Sequence, residues 1–148
     1  MGTRGVAVRC GLDRCTRAWM ETTTTKKDGI KLVMCLTRRE GTTRAEFQDY
    51  WLNSHAKLWA RHAGAYRSKR YVQAHTVETA LNEGLRASRG MGPAYDGVAE
   101  VWFESEAALM EAMGTAEGEA ASTVLLADEG TFIDHSRSVA FIVEEHAL

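Results

Sequence analysis

Apolar and polar positions follow two rhythms along this chain. Residues 43–62, TRAEFQDYWLNSHAKLWARH, carry Phe47, Tyr50, Trp51, Ser54, Leu58 and His62 at spacings of three and four, which places them on one stripe of a helix at about 100° per residue. Thr43 and Glu46 form a Thr-x-x-Glu capping box, which satisfies backbone N–H groups of the first turn and fixes the helix start. His55 falls on the edge of the stripe, one turn after Trp51 and one turn before Trp59, where it can reach a core or the mouth of a cavity.

The second rhythm is that of strands. Residues 30–37 (IKLVMCLT) have apolar side chains on both parities, as a strand covered on both faces does. Residues 66–76 read as a second strand, with Val72 and Ala74 suited to packing under a helix and Tyr71, Gln73 and His75 on the opposite face, pointing into something polar. Residues 79–92 are a loop or short helix closed by the Gly-Met-Gly-Pro turn before Ala94. Residues 97–103 (GVAEVWF) form a third strand with Val98, Glu100 and Trp102 on one face, and residues 138–145 form a fourth. Helices follow the third strand at 105–113, where Ser105 is a cap candidate, and at 117–128. The order strand, helix, strand, strand, helix, strand is the ferredoxin-like βαββαβ arrangement, an α+β fold with a four-stranded antiparallel sheet. Such a sheet carries helices on one face. Tyr71, Val98, Trp102, Val139 and Phe141 would make too large an apolar patch to leave bare, so a homodimer joined through the sheet faces is expected.

Length and charge narrow the function classes. A chain of 148 residues suits one domain, taken as residues 28–148, preceded by an irregular extension over residues 1–27. The extension is rich in Gly, Arg, Thr and Cys. Its arginines hint weakly at a transit peptide, and Met20 offers a simpler reading as the true translation start. A net charge of −2 without a basic block gives no means of displacing phosphate counterions, so no nucleic-acid partner is expected. No apolar run approaches the roughly 20 residues that cross a bilayer, so no membrane partner is expected either. Cys10, Cys15 and Cys35 are odd in number and lack a Cys-x-x-Cys pair, which disfavours a disulfide framework and a zinc site, and cytoplasmic residence is the default.

Four segments in order, EFQDYWLNSHAKLW, RYVQAH, AYDGVAEVWF and DEGTFIDHSRSVAFIVEEH, resemble the EthD family within the dimeric α+β barrel superfamily, over about residues 29–146. The resemblance implies a homodimer with a pocket between each sheet and its helices. It also implies an association with small organic molecules, which in some relatives includes cofactor-free dehydration, decarboxylation or cyclisation of polyketide-like aromatics.

His55 and His75 are the candidate general acid or base, since histidine titrates near working pH. If His55 projects toward the pocket mouth, the two imidazoles address one substrate. The alternatives are a structurally bonded helix histidine and a polar strand end at solvent. Glu100 lies on a face expected to be buried. It is either a carboxyl of raised pKa that exchanges protons or the partner of an arginine that holds the sheet or dimer together. Asp96 reads as a turn residue. Tyr50, Trp51, Tyr71, Gln73, Glu100 and Trp102 are the candidate substrate contacts, and the aromatic ones favour a flat or apolar ligand. Neither a metal nor a cofactor is expected. Glu145 and His146 alternate across a strand and cannot converge, and no nucleophile elbow or dinucleotide-binding glycine motif is present. Three readings follow: cofactor-free acid/base catalysis on a small apolar or aromatic metabolite, a cofactor-free oxygenase, and a carrier or accessory protein of a catabolic oxidation system.

Overall fold

The computed structural model describes residues 25–26 and 29–147, so the readings made for residues 1–24 and for Met20 lie outside the described residues. Strands β1 (Thr25–Lys26), β2 (Ile30–Leu36), β3 (Arg70–His75), β4 (Gly97–Phe103), β5 (Val139–Val143) and β6 (His146–Ala147) alternate with five α-helices. The helices are α1 (Arg44–Tyr50), α2 (Ala56–His62), α3 (Ala80–Arg89), α4 (Glu106–Met113) and α5 (Ala116–Phe132). The main sheet runs β3-β4-β2-β5 with every neighbouring pair antiparallel, and β1 pairs with β6 beside the chain's end. This is the α+β ferredoxin-like arrangement that the alternation implies.

Capping explains where the helices start. Thr43 accepts from the Glu46 N–H while the Glu46 carboxylate accepts from the Thr43 N–H, the full capping box. Ser105 caps α4 and Thr115 caps α5 by the side-chain bond alone, accepting from the Ala108 and Gly118 N–H groups. Residues 79–92 resolve as helix α3, capped by Thr79 and ended by Gly90 at φ 62°. The second strand begins at Arg70 rather than at residue 66, because Ala63–Tyr66 continues the preceding helix as a 3₁₀ turn that Arg67, at φ 55°, terminates. Helix α5 runs four residues past the expected end at 128. Gly130 does not break it, and the extra turn brings Glu129 and Phe132 into the fold.

Strand register corrects the expected faces. Tyr71, Gln73 and His75 lie opposite Val101, Ala99 and Gly97, on the face that the helices cover. Val72 and Ala74 face the other way, with Arg70. The reason is volume: the space between sheet and helix must take Trp51 and Phe47, both buried, and it is filled by large β3 side chains set against small β4 ones. Gly97 is part of this fit, since a Cβ there would stand 2.5 Å from the Trp51 ring. The open face therefore keeps Val98, Glu100, Trp102, Val139 and Phe141, as expected, but not Tyr71. Lys31, Val33 and Cys35 join it from the central strand.

Asp96, read as a turn residue, is a buried anchor. Its carboxylate accepts from the Arg38 backbone N–H at 2.9 Å, from the Arg44 side chain at 3.0 Å and from the Arg38 guanidinium. Burial works against its charge, but these donors outweigh burial and hold its pKa below the ordinary carboxylate value. A depressed pKa contributes stability above the ordinary carboxylate range, which is lost as pH falls through the native value. We expect Asp96→Asn to cost about 1.5–3 kcal/mol at neutral pH, the worth of hydrogen bonds to a charged group. Urea unfolding should show that gap closing in acid, and an undiminished gap there would contradict the role.

Candidate functional site

Helix α1 does not pass directly into α2. Residues Trp51–His55 form one π-helical turn, closed by the Ala56 N–H bonding to the Trp51 carbonyl. The wider turn takes in one more residue than an α-turn. As a result His55, expected at the edge of the stripe, is turned inward and is 4% exposed, whereas Ser54, expected on the stripe, faces solvent. Burial of an imidazole requires a partner. His55 Nδ1 lies 2.7 Å from Asp128 Oδ2 on α5, and Asp128 Oδ1 accepts from the Tyr50 hydroxyl at 2.7 Å. Hydrogen bonding to that carboxylate raises the Tyr50 pKa, with burial adding to it. Since a carboxylate oxygen accepts, the geometry has Nδ1 donating to Asp128, and Nε2 is the ring nitrogen left for a ligand.

Trp51 links this turn to the sheet. Its indole Nε1–H donates to the Tyr71 hydroxyl at 2.9 Å, and its ring stacks on His75 at 4.8 Å between centroids and 4° between planes. Gln73 Nε2 donates to the Trp51 carbonyl at 3.0 Å and to the Tyr71 hydroxyl at 3.1 Å. The Gln73 carbonyl oxygen is left to accept from His75 Nε2 at 2.9 Å. Both acceptor positions of the Tyr71 oxygen are thus occupied, and its own O–H remains to donate. Burial raises the Tyr71 pKa against the pull of Gln73 and Trp51, which keeps the phenol protonated. Burial also lowers the pKa of His75, which favours the neutral ring.

Under the helices lies a cavity of about 310 Å³. Leu32, Met34, Ala99, Val101, Leu125 and Leu126 form much of its apolar wall, with Trp51, Trp59 and Tyr71 as aromatic panels. Four further polar side chains line it: His55, Glu129, and the hydrogen-bonded pair Tyr66 and Ser122, whose oxygens are 2.8 Å apart. Burial raises the Glu129 pKa, against the opposing influence of His55 and His135. A wider cleft of about 770 Å³ opens among loops around Arg38, Arg39, Arg44 and Arg137. Its arginines are engaged by Asp96, Asp134 and backbone carbonyls, and it holds no histidine, so the smaller apolar cavity is the candidate site.

His55, Trp51 and Tyr71 of the expected site residues line this cavity. Tyr50 stands behind it on Asp128, and Gln73 braces Tyr71. His75 does not line it. It is held against Trp51 and Gln73, so the two imidazoles do not address one ligand in this cavity. Glu100 and Trp102 lie across the sheet on the open face. There Lys31 Nζ bridges Glu100 at 2.7 Å and Glu145 at 3.1 Å, Trp102 donates to Glu145 at 2.7 Å, and the Arg70 guanidinium sits 4.6 Å from the Trp102 ring centre. The ion-pair reading of Glu100 fits, with lysine in place of arginine. Sequence reasoning missed Asp128 and Glu129. Their signal was present, since Leu125, Asp128, Glu129 and Phe132 keep the three–four spacing of a buried stripe.

Among the described residues no group of three or more His, Cys, Asp or Glu side chains is placed to hold a metal ion, and no helix is long and apolar enough to cross a membrane. No curated protein sequence matches the chain. Among solved structures it is similar to an EthD-family protein of Bacillus halodurans, at 21% identity and a TM-score of 0.52 over 79% of this chain and 98% of that one. It is also similar to a dimeric ferredoxin-like protein of Bacteroides fragilis, at 11% identity and a TM-score of 0.52 over 82% and 100% of the two chains. A dimeric ferredoxin-like protein of Thermobifida fusca matches at 14% identity and a TM-score of 0.50 over 79% and 91%. The EthD domain model matches residues 39–136, a stretch that contains the capped helix, the π turn, strands β3 and β4 and the Asp128-Glu129 pair, and the chain belongs to the EthD family.

Proposed function

We propose that this EthD-family chain binds a small apolar or aromatic carbonyl compound in the cavity under its helices and transfers a proton on it without a cofactor. The observation that carries this reading is the 2.7 Å contact by which Asp128 holds Nδ1 of His55 at the wall of a mostly apolar cavity. It fixes the tautomer, leaves Nε2 as a base and stabilises the imidazolium that forms when Nε2 takes a proton. Tyr71 complements it. A phenol whose oxygen already accepts two hydrogen bonds presents its O–H to the ligand, where it stabilises the oxyanion of an enolate. His55 would remove the proton on the carbon next to the carbonyl while Tyr71 holds the oxygen. The cavity is at the lower end of the ~300–1,000 Å³ typical of ligand pockets, which suits a single ring or a short ring-bearing chain.

The open sheet face supports a homodimer as the working unit. Phe141 and Val139 on β5 are 47% and 44% exposed, and they continue an apolar surface through Val33, Cys35, Val98 and Val72. A second copy laid on this face would cover that surface. Two chains of similar fold are described as dimeric.

The direct test is hydrogen exchange at the carbon next to the carbonyl of a phenyl-bearing ketone in D₂O, followed by mass spectrometry. The intact protein should catalyse exchange, and His55→Ala should slow it by about 10²–10⁴-fold, the usual worth of a general base. Exchange unchanged in His55→Ala would remove the centre of the reading, and oxygen consumption with the same ketone would favour an oxygenase. Native mass spectrometry should give twice the chain mass for the intact protein and the single mass for Phe141→Asp. An intact protein that runs as a monomer would contradict the buried sheet face.

A further inference from the structure

Glu129 follows Asp128 directly on α5, and the two carboxyl groups have different surroundings. A step of one residue turns about 100° around a helix. Asp128 reaches the π turn, where Tyr50 and His55 hold both of its oxygens. Glu129 instead lines the cavity that His55 and Tyr71 also line, and its side chain is 18% exposed. Its carboxylate makes one long contact, 3.4 Å from Oε2 to His135 Nε2 at the protein surface. The groups with electrostatic influence on it are His55, His135 and Asp128, with Tyr71 also in range.

We infer that Glu129 is the proton donor to a leaving oxygen, so that the compound handled here is a β-hydroxy carbonyl with an apolar or aromatic body and the reaction is loss of water. The inference rests on the proton-transfer reading above and deepens it. His55 Nε2 takes the hydrogen from the carbon next to the carbonyl, and the electrons of that C–H bond form the enolate, whose oxygen Tyr71 holds. As the enolate collapses to the carbon–carbon double bond, the C–O bond at the β carbon breaks. The departing hydroxyl takes the Glu129 proton and leaves as water. His55 ends as imidazolium and Glu129 as carboxylate, and a proton passed from one to the other through solvent restores the starting state. Hydroxide is a poor leaving group and water a good one, so the step calls for an acid beside the base. Burial keeps Glu129 protonated to higher pH than a solvated carboxyl, which suits the donor.

The test uses a phenyl-bearing β-hydroxyketone and its acetate ester, the second carrying a leaving group that departs without a proton. Glu129→Gln should lose about 10²-fold more in elimination of water than in hydrogen exchange or in elimination of acetate, a selective loss that misfolding would not give. Elimination of water by Glu129→Gln at the intact rate would overturn the inference, as would exchange by the intact protein without any elimination. An intact protein that neither exchanges nor eliminates would overturn the proton-transfer reading and this inference with it.

Discussion

The docking of Trp51 beneath the sheet is the contact on which the rest of the structure depends. The indole is 1% exposed, packs on Phe47 at 5.5 Å, stacks on His75 and lies against Gly97, where no side chain stands in its way. Large-to-small changes of such a residue cost about 3–5 kcal/mol, a large part of the margin of a domain this size. With Trp51 anchored, the π turn begins at its carbonyl and His55 is delivered to the cavity.

The polar groups around Trp51 form two short chains. One runs from Tyr50 through Asp128 to His55, the other from His75 through Gln73 to Tyr71, with Trp51 donating into the second. Each member has at least one partner, and among the described residues no buried side-chain nitrogen or oxygen lacks one. These partners fix rotamers and tautomers, because rotation leaves a buried donor or acceptor unpaired. Those two chains end at opposite kinds of group: a ring nitrogen free to accept and a hydroxyl free to donate.

Much of the fold was legible in the sequence, and the reasons are local. The Thr43–Glu46 capping box, the strand Gly97–Phe103 and the Ser105 cap all depend on neighbours in the chain, which periodicity and capping rules describe well. The faces of β3 were read inversely, because hydropathy favours Val72 and Ala74 inward, whereas the actual criterion was the space left by Gly97 and Ala99 on the neighbouring strand. His55 was identified as a candidate, but its depth depends on a π turn that no hydrophobic pattern announces. Asp128 and Glu129 kept the spacing of the buried stripe but were passed over, because a carboxylate on a helix reads as a solvent face until the partner brought by tertiary packing is known. Glu100 and Trp102 were placed on the right face of β4 and belong to an ionic cluster rather than to the cavity.

The four tryptophans make the central claim, that the cavity beneath the helices is where the ligand sits, directly measurable. Trp51 and Trp59 line that cavity, and Trp102 lies across the sheet. An NMR titration of the indole N–H and His55 ring signals with a phenyl ketone should give saturable shifts at Trp51, Trp59 and His55, with Trp102 unmoved. Shifts concentrated at Trp102, or none that saturate, would contradict the account.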